Sequence, residues 1–434
     1  MTALMEQVLQ KAKARGATDV AVSVNYDSGF SVDVRLREVE TVSFHEDKAV
    51  SLVVYFGHRK GSASSTDTSA EALEAIVNAA CDIAAVSSED PCFGLADKAL
   101  MTRSHPSLDL YHPWQIEPSE AIAQGLQCED YALQKDKRIT NSDGVNVSTA
   151  NFHHAYANTH GCLGFIRGST HSISCSLIAE SGSGMQRDYD YTVSRRANEL
   201  LSLERIADGA VERTVSRLDA RKIKTMRVPV IFSSRVSSGL IANFISAISG
   251  SNLYRKNSFL LDSLGKVVFP EWVNIYERPH ILGALGSSPF DSEGVTTRDN
   301  QFVEQGRVAQ YVLGSYSARR LGLQTSANAD GVHNLTVDSN AGDLSDLVSK
   351  MQRGLIITEL MGQGINGLTG DYSRGASGFW VEQGAIQYPV EEFTIAGNLK
   401  DMFLGICAIG NDRDPNLATR CGSVLIDSMM IGGV

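Results

Sequence analysis

The sequence predicts an α+β protein, with an N-terminal antiparallel sheet flanked by helices and a β-rich C-terminal domain that is barrel-like or a sandwich. The first observation is the order of periodic segments near the N-terminus, where a helix, four strand-like runs and a second helix follow one another. The second is a content of 38 glycines against 10 prolines, which favours turn-rich β structure over disorder. The third is the length of 434 residues with 43% hydrophobic residues, enough for two or three domains with real cores.

The first domain is predicted to begin with an amphipathic helix over residues 3–15. A turn is expected at Glu46-Asp47, within the strand-like region that follows. A second helix is expected from Thr68, because Glu71 completes a capping box there. The strand-like runs between the two helices cover residues 20–24, 30–36, 39–44 and 49–56.

The remainder of the first half alternates between loops, helices and strands. Residues 86–116 are loop-rich, so a split into two subdomains near this segment is an option. A turn is predicted over residues 141–144, and Ser202 is expected to cap a long helix. Residues 118–134 read as a helix, and strands are expected over 145–148, 162–167 and 172–180. The main domain boundary is placed in the linker that follows, giving domains of residues 1–222 and 223–434.

The second domain is glycine-rich and strand-rich. A strand over residues 228–232 is followed by a buried helix over 236–248. The clearest local pattern is a hairpin over residues 379–388, whose tight turn at Glu382-Gln383-Gly384 uses glycine for a positive φ angle. Pro389 is expected to limit further pairing of the second strand, because proline has no backbone donor. Another helix is predicted to begin at residue 398.

Residues 354–403 hold the densest glycine pattern, including a literal G-x-G-x-x-G at residues 362–367 with Glu382 about twenty residues later. A dinucleotide site needs a helix that starts at this loop, because the helix N-terminus holds the pyrophosphate. Residues 368–375 instead contain further glycines and turn formers, which cannot begin such a helix. The pattern therefore does not predict a nucleotide site.

Charge and cysteine usage narrow the partners and the compartment. A net charge of −11 without a Lys/Arg-rich run speaks against nucleic-acid binding. No window reaches eighteen apolar residues, and the N-terminus lacks the apolar region of a signal peptide, so no membrane segment is expected. The seven cysteines are scattered without a C-x-x-C pair, which indicates a reducing cytoplasm.

Histidine offers little support for a metal site. Three of the ten histidines cluster at His153, His154 and His160, but their spacing matches no helical or knuckle site. Exposed strand or loop histidines are one interpretation, and an unrecognised site is the other. No H-E-x-x-H, H-E-x-x-x-H or G-x-S-x-G motif occurs. The helix predicted over residues 236–248 carries neither a histidine nor an acid, so it offers no metal ligand and no general base.

Other residues have two interpretations each. Cys421 follows an arginine that could lower the pKa of its thiol, although a buried, inert thiol is the interpretation that we favour. His333 and Asn334 lie in a turn and either line a pocket or make structural hydrogen bonds. Asp371 and Arg374 either pair with each other or contact an extended peptide or a partner chain. The candidate contacts for a peptide or a partner are Gly364, Asp371, Tyr372, Ser373, Arg374, His333 and Asn334.

Along essentially its whole length, the sequence resembles the TldD/PmbA family. The strongest match is Thr358-Glu359-Leu360-Met361-Gly362-Gln363-Gly364. The other matching stretches, in order, cover residues 32–35, 38–40, 61–67, 185–189, 331–335, 370–375 and 395–399. The resemblance implies a cytoplasmic bacterial protein that forms a heterodimer with a TldD-like chain. Such a complex is a zinc peptidase for unfolded or extended peptides, including peptide antibiotic precursors and antitoxins.

The resemblance also implies that this chain belongs to the branch without metal ligands. In TldD-like members, a helix with His-Glu-x-x-x-His and a cysteine near the C-terminus bind zinc. Here residues 236–248 should hold that motif but lack every ligand, and Cys421 matches the cysteine but stands alone. One thiolate cannot hold catalytic zinc, which ordinarily takes three protein ligands. We therefore expect no cofactor in this chain, zinc in the partner subunit, and no catalysis by this chain alone.

Three functions remain open at this point. In the first, the chain helps to form the substrate channel of the complex, and its glycine loop and edge strands hold a peptide by main-chain hydrogen bonds. In the second, it is a regulatory module that modulates DNA gyrase or a toxin system. In the third, it is a stand-alone peptidase with an unrecognised site such as the three histidines. The expected partners are a TldD-like subunit and an extended peptide, with a homodimer as an option in the absence of that subunit.

Overall fold

The computed structural model describes residues 1–103, 106–182 and 184–434, and it confirms the α+β class. Helices α1 to α9 cover Thr2–Ala14, Ala70–Val86, Pro118–Lys135, Leu203–Ser216, Ser234–Ala247, Gly250–Tyr254, Ser315–Arg320, Leu344–Met351 and Leu399–Leu404. Strands β1 to β16 cover Asp19–Arg35, Glu38–Phe56, Arg59–Ser65, Ile139–Asn158, Leu163–Ser181, Gly184–Ser194, Met226–Phe232, Ile275–Glu277, Asn300–Glu304, Arg307–Val308, Leu335–Val337, Gly354–Met361, Asp371–Glu382, Ala385–Asn398, Ile406–Ile409 and Val424–Gly432.

The N-terminal domain is a six-stranded antiparallel sheet in the order β3-β2-β1-β4-β5-β6, curved as a half-barrel. Alternate residues of β1 point to the same face, so Val22 and Val34 both face the helical layer. Val22 packs in a cluster with α1 and α2, whereas Val34 packs with α3 and α4. Two helix pairs therefore cover the two ends of one sheet face. The four strand-like runs predicted between α1 and α2 form only two strands, because runs 20–24 and 30–36 join in β1 and runs 39–44 and 49–56 join in β2, and β3 follows as a third strand.

Two turns predicted in this sheet are wrong. Glu46 and Asp47 continue strand β2, where they pair with Ser28 and Asp27 of β1. Residues 45–48 are all polar or charged and exposed, so they resembled a turn between the strand-like runs 39–44 and 49–56. Residues 141–144 form irregularities inside β4 instead of a turn, because Gly144 takes a φ of 109° and absorbs the bulge within the ladder.

The helix caps follow the predicted chemistry, with one shift. Ser69, and not Thr68, is the N-cap of α2, and its hydroxyl accepts from the backbone N–H of Ala72 at 3.3 Å. The predicted cap of α4 is confirmed, since the Ser202 hydroxyl accepts from the backbone N–H of Arg205 at 3.3 Å. Both hydroxyls satisfy a donor that the first helical turn leaves without an intrahelical partner.

A buried carboxylate holds the turn between β1 and β2. Leu36 and Arg37 form this turn with positive φ angles of 52° and 65°, as a two-residue hairpin requires. Glu129 of α3 is fully buried and accepts from both backbone N–H groups, at 2.9 and 2.7 Å. Charge-assisted bonds to a buried carboxylate are among the stronger hydrogen bonds in proteins, so α3 fixes the end of this long hairpin.

Replacing Glu129 by alanine should lower the free energy of unfolding by about 2–3 kcal/mol, because two turn N–H groups lose a charged acceptor. Urea unfolding followed by circular dichroism measures the loss. The matched control is Asp130→Ala, which removes only the exposed ion pair with Arg37 at 2.6 Å and should cost less than about 1 kcal/mol. Equal losses for the two variants would contradict this account of the turn.

The C-terminal domain confirms the barrel-like form of the prediction. Its main sheet has the order β14-β13-β12-β7-β16-β15, and a further pairing between β14 and β16 closes five of these strands into a barrel. Neighbouring strands are antiparallel, except that β7 and β12 are parallel. A smaller four-stranded sheet in the order β10-β9-β8-β11 packs into the same hydrophobic core.

The predicted hairpin of this domain is confirmed, but the role given to Pro389 is wrong. Gln383 and Gly384 form the turn between β13 and β14 with φ angles of 53° and 69°. Strand β14 continues past Pro389, which pairs with Phe379. Proline is tolerated at this position because register shifts flank it in the ladder, as expected for proline near bulges. Its carbonyl also accepts from the backbone N–H of Arg221 at 2.9 Å.

Helix α5 follows β7 directly and corresponds to the helix predicted over residues 236–248. It is anchored by Phe244, whose ring packs edge-on against Phe269 with centroids 5.0 Å apart. Phe403 of α9 packs against Phe269 at 4.9 Å, and all three side chains are fully buried. This aromatic packing fixes α5, so its N-terminus lies at the end of the barrel where β7 and β12 both finish.

The two domains also share apolar contacts. Tyr55 and Tyr156 of the N-terminal sheet lie in one buried cluster with Phe290 and Val295 of the C-terminal domain. This cluster covers part of the sheet face opposite to the helices, because Val22 and Ala21 are adjacent on β1 and point to opposite faces. Within the part of the chain that the structure describes, no helix is both long enough and apolar enough to cross a membrane.

Candidate functional site

A cleft opens where the N-terminal domain meets the carboxyl ends of β7 and β12. Because these two strands are parallel, the residues that follow β7 and the last residues of β12 lie at the same end of the barrel. Strand β6 and the C-terminal end of α4 form the opposite wall. The cleft has two adjoining compartments of about 420 Å³ each, which share Asp188, Arg217, Arg235 and Thr358. We call this space the interdomain cleft.

An ion-pair network crosses the interdomain cleft. Asp188 of β6 lies 3.2 Å from Nη1 of Arg217, which follows α4, and 3.4 Å from Nη1 of Arg235 in α5. Arg217 also pairs with Glu359 of β12, whose carboxylate accepts from the Ser377 hydroxyl at 3.0 Å. Asp188 and Arg217 belong to the N-terminal domain, whereas Arg235 and Glu359 belong to the C-terminal domain. The network therefore ties both domains together at the cleft.

The outer edge of β6 is satisfied by side chains instead of a neighbouring strand. Asn416 accepts from the backbone N–H of Val193 at 2.8 Å and donates to the carbonyl of Tyr191 at 3.3 Å. Arg235 donates to the carbonyl of Tyr189 at 3.2 Å, and its guanidinium stacks over the same tyrosine ring at 4.4 Å. An edge strand therefore becomes one wall of a cleft without pairing to another strand.

Four buried polar atoms in the wall of the cleft have no hydrogen-bond partner among the described residues. They are Ser233 Oγ, Arg235 Nη2, Thr358 Oγ1 and Arg374 Nε. Buried polar groups in proteins are nearly always hydrogen-bonded, so a concentration of unpartnered atoms along one cleft indicates a place for a polar ligand or water.

One compartment of the cleft is rich in positive charge. Its lining holds four arginines and two acids, which leaves a formal excess of +2 (four minus two), although the whole chain carries −11. We call it the arginine compartment; its charged lining residues are Arg187, Arg217, Arg235, Arg374, Asp188 and Glu359. This compartment therefore suits an anionic group better than a cation.

Most of the predicted glycine-loop contacts have structural roles. A Cβ atom on Gly364 would lie 1.7 Å from the carbonyl oxygen of Ser373, so the close approach needs glycine. Asp371 accepts from the Thr369 hydroxyl at 2.7 Å and from the Asn398 amide at 3.1 Å, and these bonds hold the pKa of its carboxyl below the usual value. As predicted, no helix begins at this loop, because strand β13 follows it.

Tyr372 and Arg374 lie on the same face of β13 but differ in surroundings. Tyr372 is buried, and its ring packs edge-on against Phe232 with centroids 6.4 Å apart; burial raises the pKa of its phenol to about 12. Arg374 lines the arginine compartment, with Nη2 3.4 Å from the carbonyl of Leu360. The alternative that Asp371 pairs with Arg374 is wrong, since residues three apart on a strand point to opposite faces.

His333 and Asn334 belong to a buried polar cluster outside the interdomain cleft. Glu277 is 1% exposed and accepts from the backbone N–H of His333 at 2.6 Å. Burial opposes the charged form of the imidazole, but the carboxylates of Asp330 and Glu277 outweigh it and raise the pKa of His333 to about 9. Asn334 donates to the Ser287 hydroxyl at 2.7 Å. Both residues make structural contacts in this arrangement.

The three clustered histidines do not converge on one point. His153 and His154 are consecutive on β4, so they face opposite sides of the sheet. His153 packs near Tyr26, whereas Nδ1 of His154 lies 2.6 Å from Oδ1 of Asn25. His160 lies beyond the end of β4, with Nδ1 3.0 Å from the carbonyl of Ala96. Each ring therefore has its own local partners.

Cys421 lies beside α5, where the family resemblance would place a metal ligand. Its thiol is 1% exposed, and burial raises its pKa to about 12 despite a hydrogen bond from Ser237 that lowers it. Residues 236–248 of the adjacent helical segment carry serine and asparagine side chains but no His, Cys, Asp or Glu, and hydroxyls and amides are poor zinc donors compared with thiolate, imidazole and carboxylate. In the described ranges, no group of three or more His, Cys, Asp or Glu side chains is arranged to hold a metal. The donors at this position do not fit zinc.

Sequence reasoning missed most of the residues that line the cleft. Asp188 and Glu359 lie within residues 185–189 and 358–364, two of the stretches that carry the family resemblance. Their place in these stretches is the sequence signal that could have identified them. Arg217 and Arg235 lie outside those stretches, at the end of α4 and the start of α5. Their role depends on the contact between the domains, which no local pattern encodes.

Together, the half-barrel, the closed barrel and the arginine-lined cleft between them define an α+β protein. Three family models match this chain: PmbA/TldA metallopeptidase domain 1 at residues 20–84, the central domain at 111–218 and the C-terminal domain at 225–433. The chain belongs to the PmbA/TldD family of metalloprotease-like proteins.

Curated relatives cover nearly the whole chain. Metalloprotease PmbA of Escherichia coli O157:H7 is 47% identical over 97% of this chain and 94% of its own length. A metalloprotease PmbA homolog of Haemophilus influenzae is 46% identical over 97% of this chain and 93% of its own length. The family name therefore applies at the level of the full chain and not only to one domain.

Solved structures share the fold throughout. A putative modulator of DNA gyrase from Bacteroides thetaiotaomicron matches with a TM-score of 0.94 at 25% identity, covering 100% of this chain and 99% of that one. TldE from Thermococcus kodakarensis matches with a TM-score of 0.82 at 20% identity, covering 99% of this chain and 100% of that one. At 20% identity the second match shows the fold alone.

The raised pKa of His333 predicts a pH-dependent stability. Because the folded value of about 9 lies above the ordinary value of 6.5, the stabilisation is complete below pH 6.5 and is lost as the pH rises through 9. From about pH 6 to pH 10, the native chain should lose on the order of 2–3 kcal/mol more unfolding free energy than His333→Gln. Urea titrations at each pH measure the difference, with exposed His58→Gln as the control. Parallel curves for the native chain and His333→Gln would rule out the charged pair.

Proposed function

We propose that this chain is the metal-free subunit of a peptidase that it forms with a TldD-like chain, and that its interdomain cleft helps to hold an unfolded or extended peptide. Peptide antibiotic precursors and antitoxins are the substrates that the family resemblance implies. Zinc and the bond-breaking chemistry belong to the partner in this proposal. The seven cysteines, which all lie within the described ranges and form no disulfide, suit a cytoplasmic complex.

The observation that carries this proposal is the set of donors in α5 and at Cys421. Residues 236–248 and Cys421 are where the resemblance implies zinc ligands, and apart from the buried thiol they offer only hydroxyl and amide side chains. Catalytic zinc ordinarily takes three nitrogen, oxygen or sulfur ligands from His, acidic or Cys side chains. A chain of this kind needs a second chain for metal-assisted hydrolysis.

The interdomain cleft supports the peptide-holding part of the proposal. Its unpartnered groups are the hydroxyl of Thr358, the hydroxyl of Ser233 and donors of Arg235 and Arg374. Such groups bind main-chain carbonyls and carboxylates of a peptide whatever its side chains are, so the binding is tolerant of sequence. The glycine loop contributes less than the sequence suggested, because it is folded onto β13 through the bond from Ser373 N–H to the Gly364 carbonyl at 2.7 Å.

The outer half of strand β2 is a suitable surface for the TldD-like chain. Residues 38–48 of β2 pair with β1 on one side. Strand β3 pairs only with residues 50–56, so the other side of residues 38–48 is an edge without a strand partner among the described residues. Val42 and Phe44 are 37% and 70% exposed on this segment. An exposed edge with apolar side chains invites pairing with another chain, and Glu129 holds the adjoining turn in place.

A regulatory role is the second candidate. Two structural neighbours, from Bacteroides thetaiotaomicron and Thermotoga maritima, are described as putative modulators of DNA gyrase. The net charge of −11 points to contacts with proteins and not with DNA. Retention of gyrase by the purified chain in the absence of any TldD-like protein would favour this role.

Mixing experiments test the main proposal. The purified chain should contain no stoichiometric zinc and should cleave no peptide, whereas an equimolar mixture with its TldD-like partner should form a stable complex that cleaves unfolded peptides. Size-exclusion chromatography, metal analysis and a fluorogenic peptide assay measure the three outcomes. Stoichiometric zinc in the isolated chain would support a stand-alone peptidase, and failure of the two chains to associate would remove the proposal.

The partner surface predicts a specific loss of association. Phe44→Lys should weaken binding to the TldD-like chain by roughly 30-fold, as expected for the loss of a buried aromatic anchor, and leave the fold unchanged. The control is Val86→Lys on α2, which changes a residue that is 86% exposed outside this strand. Surface plasmon resonance measures both. Unchanged binding by Phe44→Lys would place the interface elsewhere.

A further inference from the structure

We propose that the arginine compartment of the interdomain cleft is a carboxylate-binding site, and that it takes the carboxylate of an extended peptide. The carboxylate is either the C-terminus of that peptide or an acidic side chain, and both present the same planar group to the arginines. This inference rests on the proposed function, because it names the chemical group by which the peptide is held.

Two arginines in the compartment have donors left over. Arg235 uses Nη1 for Asp188 and for the carbonyl of Tyr189, and its Nη2 is buried without a partner among the described residues. Arg374 contacts the carbonyl of Leu360 through Nη2, and its Nε is likewise unpartnered there. Guanidinium nitrogens donate and never accept, so the missing partner at both positions is an acceptor.

The start of α5 adds to the same preference. Ser233 is its N-cap and is 8% exposed, and its hydroxyl is unpartnered within the described ranges. The N-terminus of a helix of 14 residues carries a partial positive charge that favours anions. Thr358, opposite α5, supplies a second unpartnered hydroxyl. Cations, a helix N-terminus and hydroxyl donors thus occur together along one wall.

The acids in the lining indicate which anion fits. Asp188 and Glu359 reduce the formal excess of the compartment to +2 (four arginines minus two acids). A doubly charged phosphate would be repelled by both carboxylates, whereas a singly charged carboxylate is neutralised at lower cost. A planar carboxylate also matches the two-pronged geometry of a guanidinium. Arg374 is the best placed of the arginines, because it has no carboxylate partner in the part of the chain described here.

Three labelled peptides of one sequence without Asp or Glu distinguish the sources of the carboxylate: the free acid, its C-terminal amide, and the amide with one central Glu. Fluorescence anisotropy with the full chain, alone and in complex with the TldD-like chain, gives each Kd. A carboxylate-bearing peptide should bind at least about tenfold tighter than the plain amide. Preference for the free acid assigns the site to the C-terminus, and preference for the Glu peptide assigns it to a side chain.

The remaining outcomes separate this inference from the proposed function. Equal affinity for all three peptides would overturn the carboxylate site and leave peptide binding intact. Failure of every peptide to bind, to the chain and to the complex, would overturn both.

Substitutions then locate the site. Arg374→Gln and Arg235→Gln should each reduce the preference for a carboxylate by about tenfold or more while leaving the affinity for the amide nearly unchanged. Arg374→Gln leaves the ion pairs of Asp188 intact, so it remains informative if Arg235→Gln unfolds. The control is Arg227→Gln, at an exposed position of β7. A preference that survives both substitutions in folded protein would overturn the assignment.

Discussion

The outer edge of β6 is the constraint on which the arrangement of the two domains depends. This strand ends the N-terminal sheet, and its outward-facing backbone groups need partners that no neighbouring strand supplies. Asn416 satisfies Tyr191 and Val193, while Arg235 satisfies Tyr189. These side chains come from the C-terminal domain, where the closed barrel and the packing of α5 fix their positions. Satisfying one edge strand therefore orients the half-barrel against the barrel, and the cleft is the space that remains between them.

The same arrangement explains the charge of the cleft. Arginine reaches a distant carbonyl with one nitrogen and retains other donors, so using Arg235 to cover β6 leaves a donor unpartnered. Asp188 and Glu359 offset the charges of Arg217 and Arg235, but Arg374 remains without an acidic partner among the described residues. The residues that hold the domains together thus also create the surface that suits an anion, and stability and binding share one set of side chains.

Local chemistry was sufficient to predict much of the fold, as the hairpin at Gln383-Gly384 and the cap at Ser202 show. It failed at Glu46-Asp47, where exposed charged residues inside the continuous strand β2 resembled a turn between two strand-like runs. The cleft was beyond local patterns for another reason. Arg217 pairs with Asp188 and Glu359, which lie 29 and 142 residues away in the sequence. Of the seven contacts proposed from the sequence, Arg374 alone lines the arginine compartment.

The electrostatics of the cleft also bear on the absent zinc ligands. A divalent cation at the start of α5 would meet the positive end of a helix dipole and the guanidiniums of Arg235 and Arg374, all of which repel it. The serine and asparagine side chains of residues 236–248 are weak ligands compared with imidazole and carboxylate. The backbone frame at this end of the barrel consists of the parallel strands β7 and β12 and of α5, which follows β7. The side chains on this frame favour an anion and not a cation. In this chain the frame therefore suits the negative group of a ligand better than a metal ion.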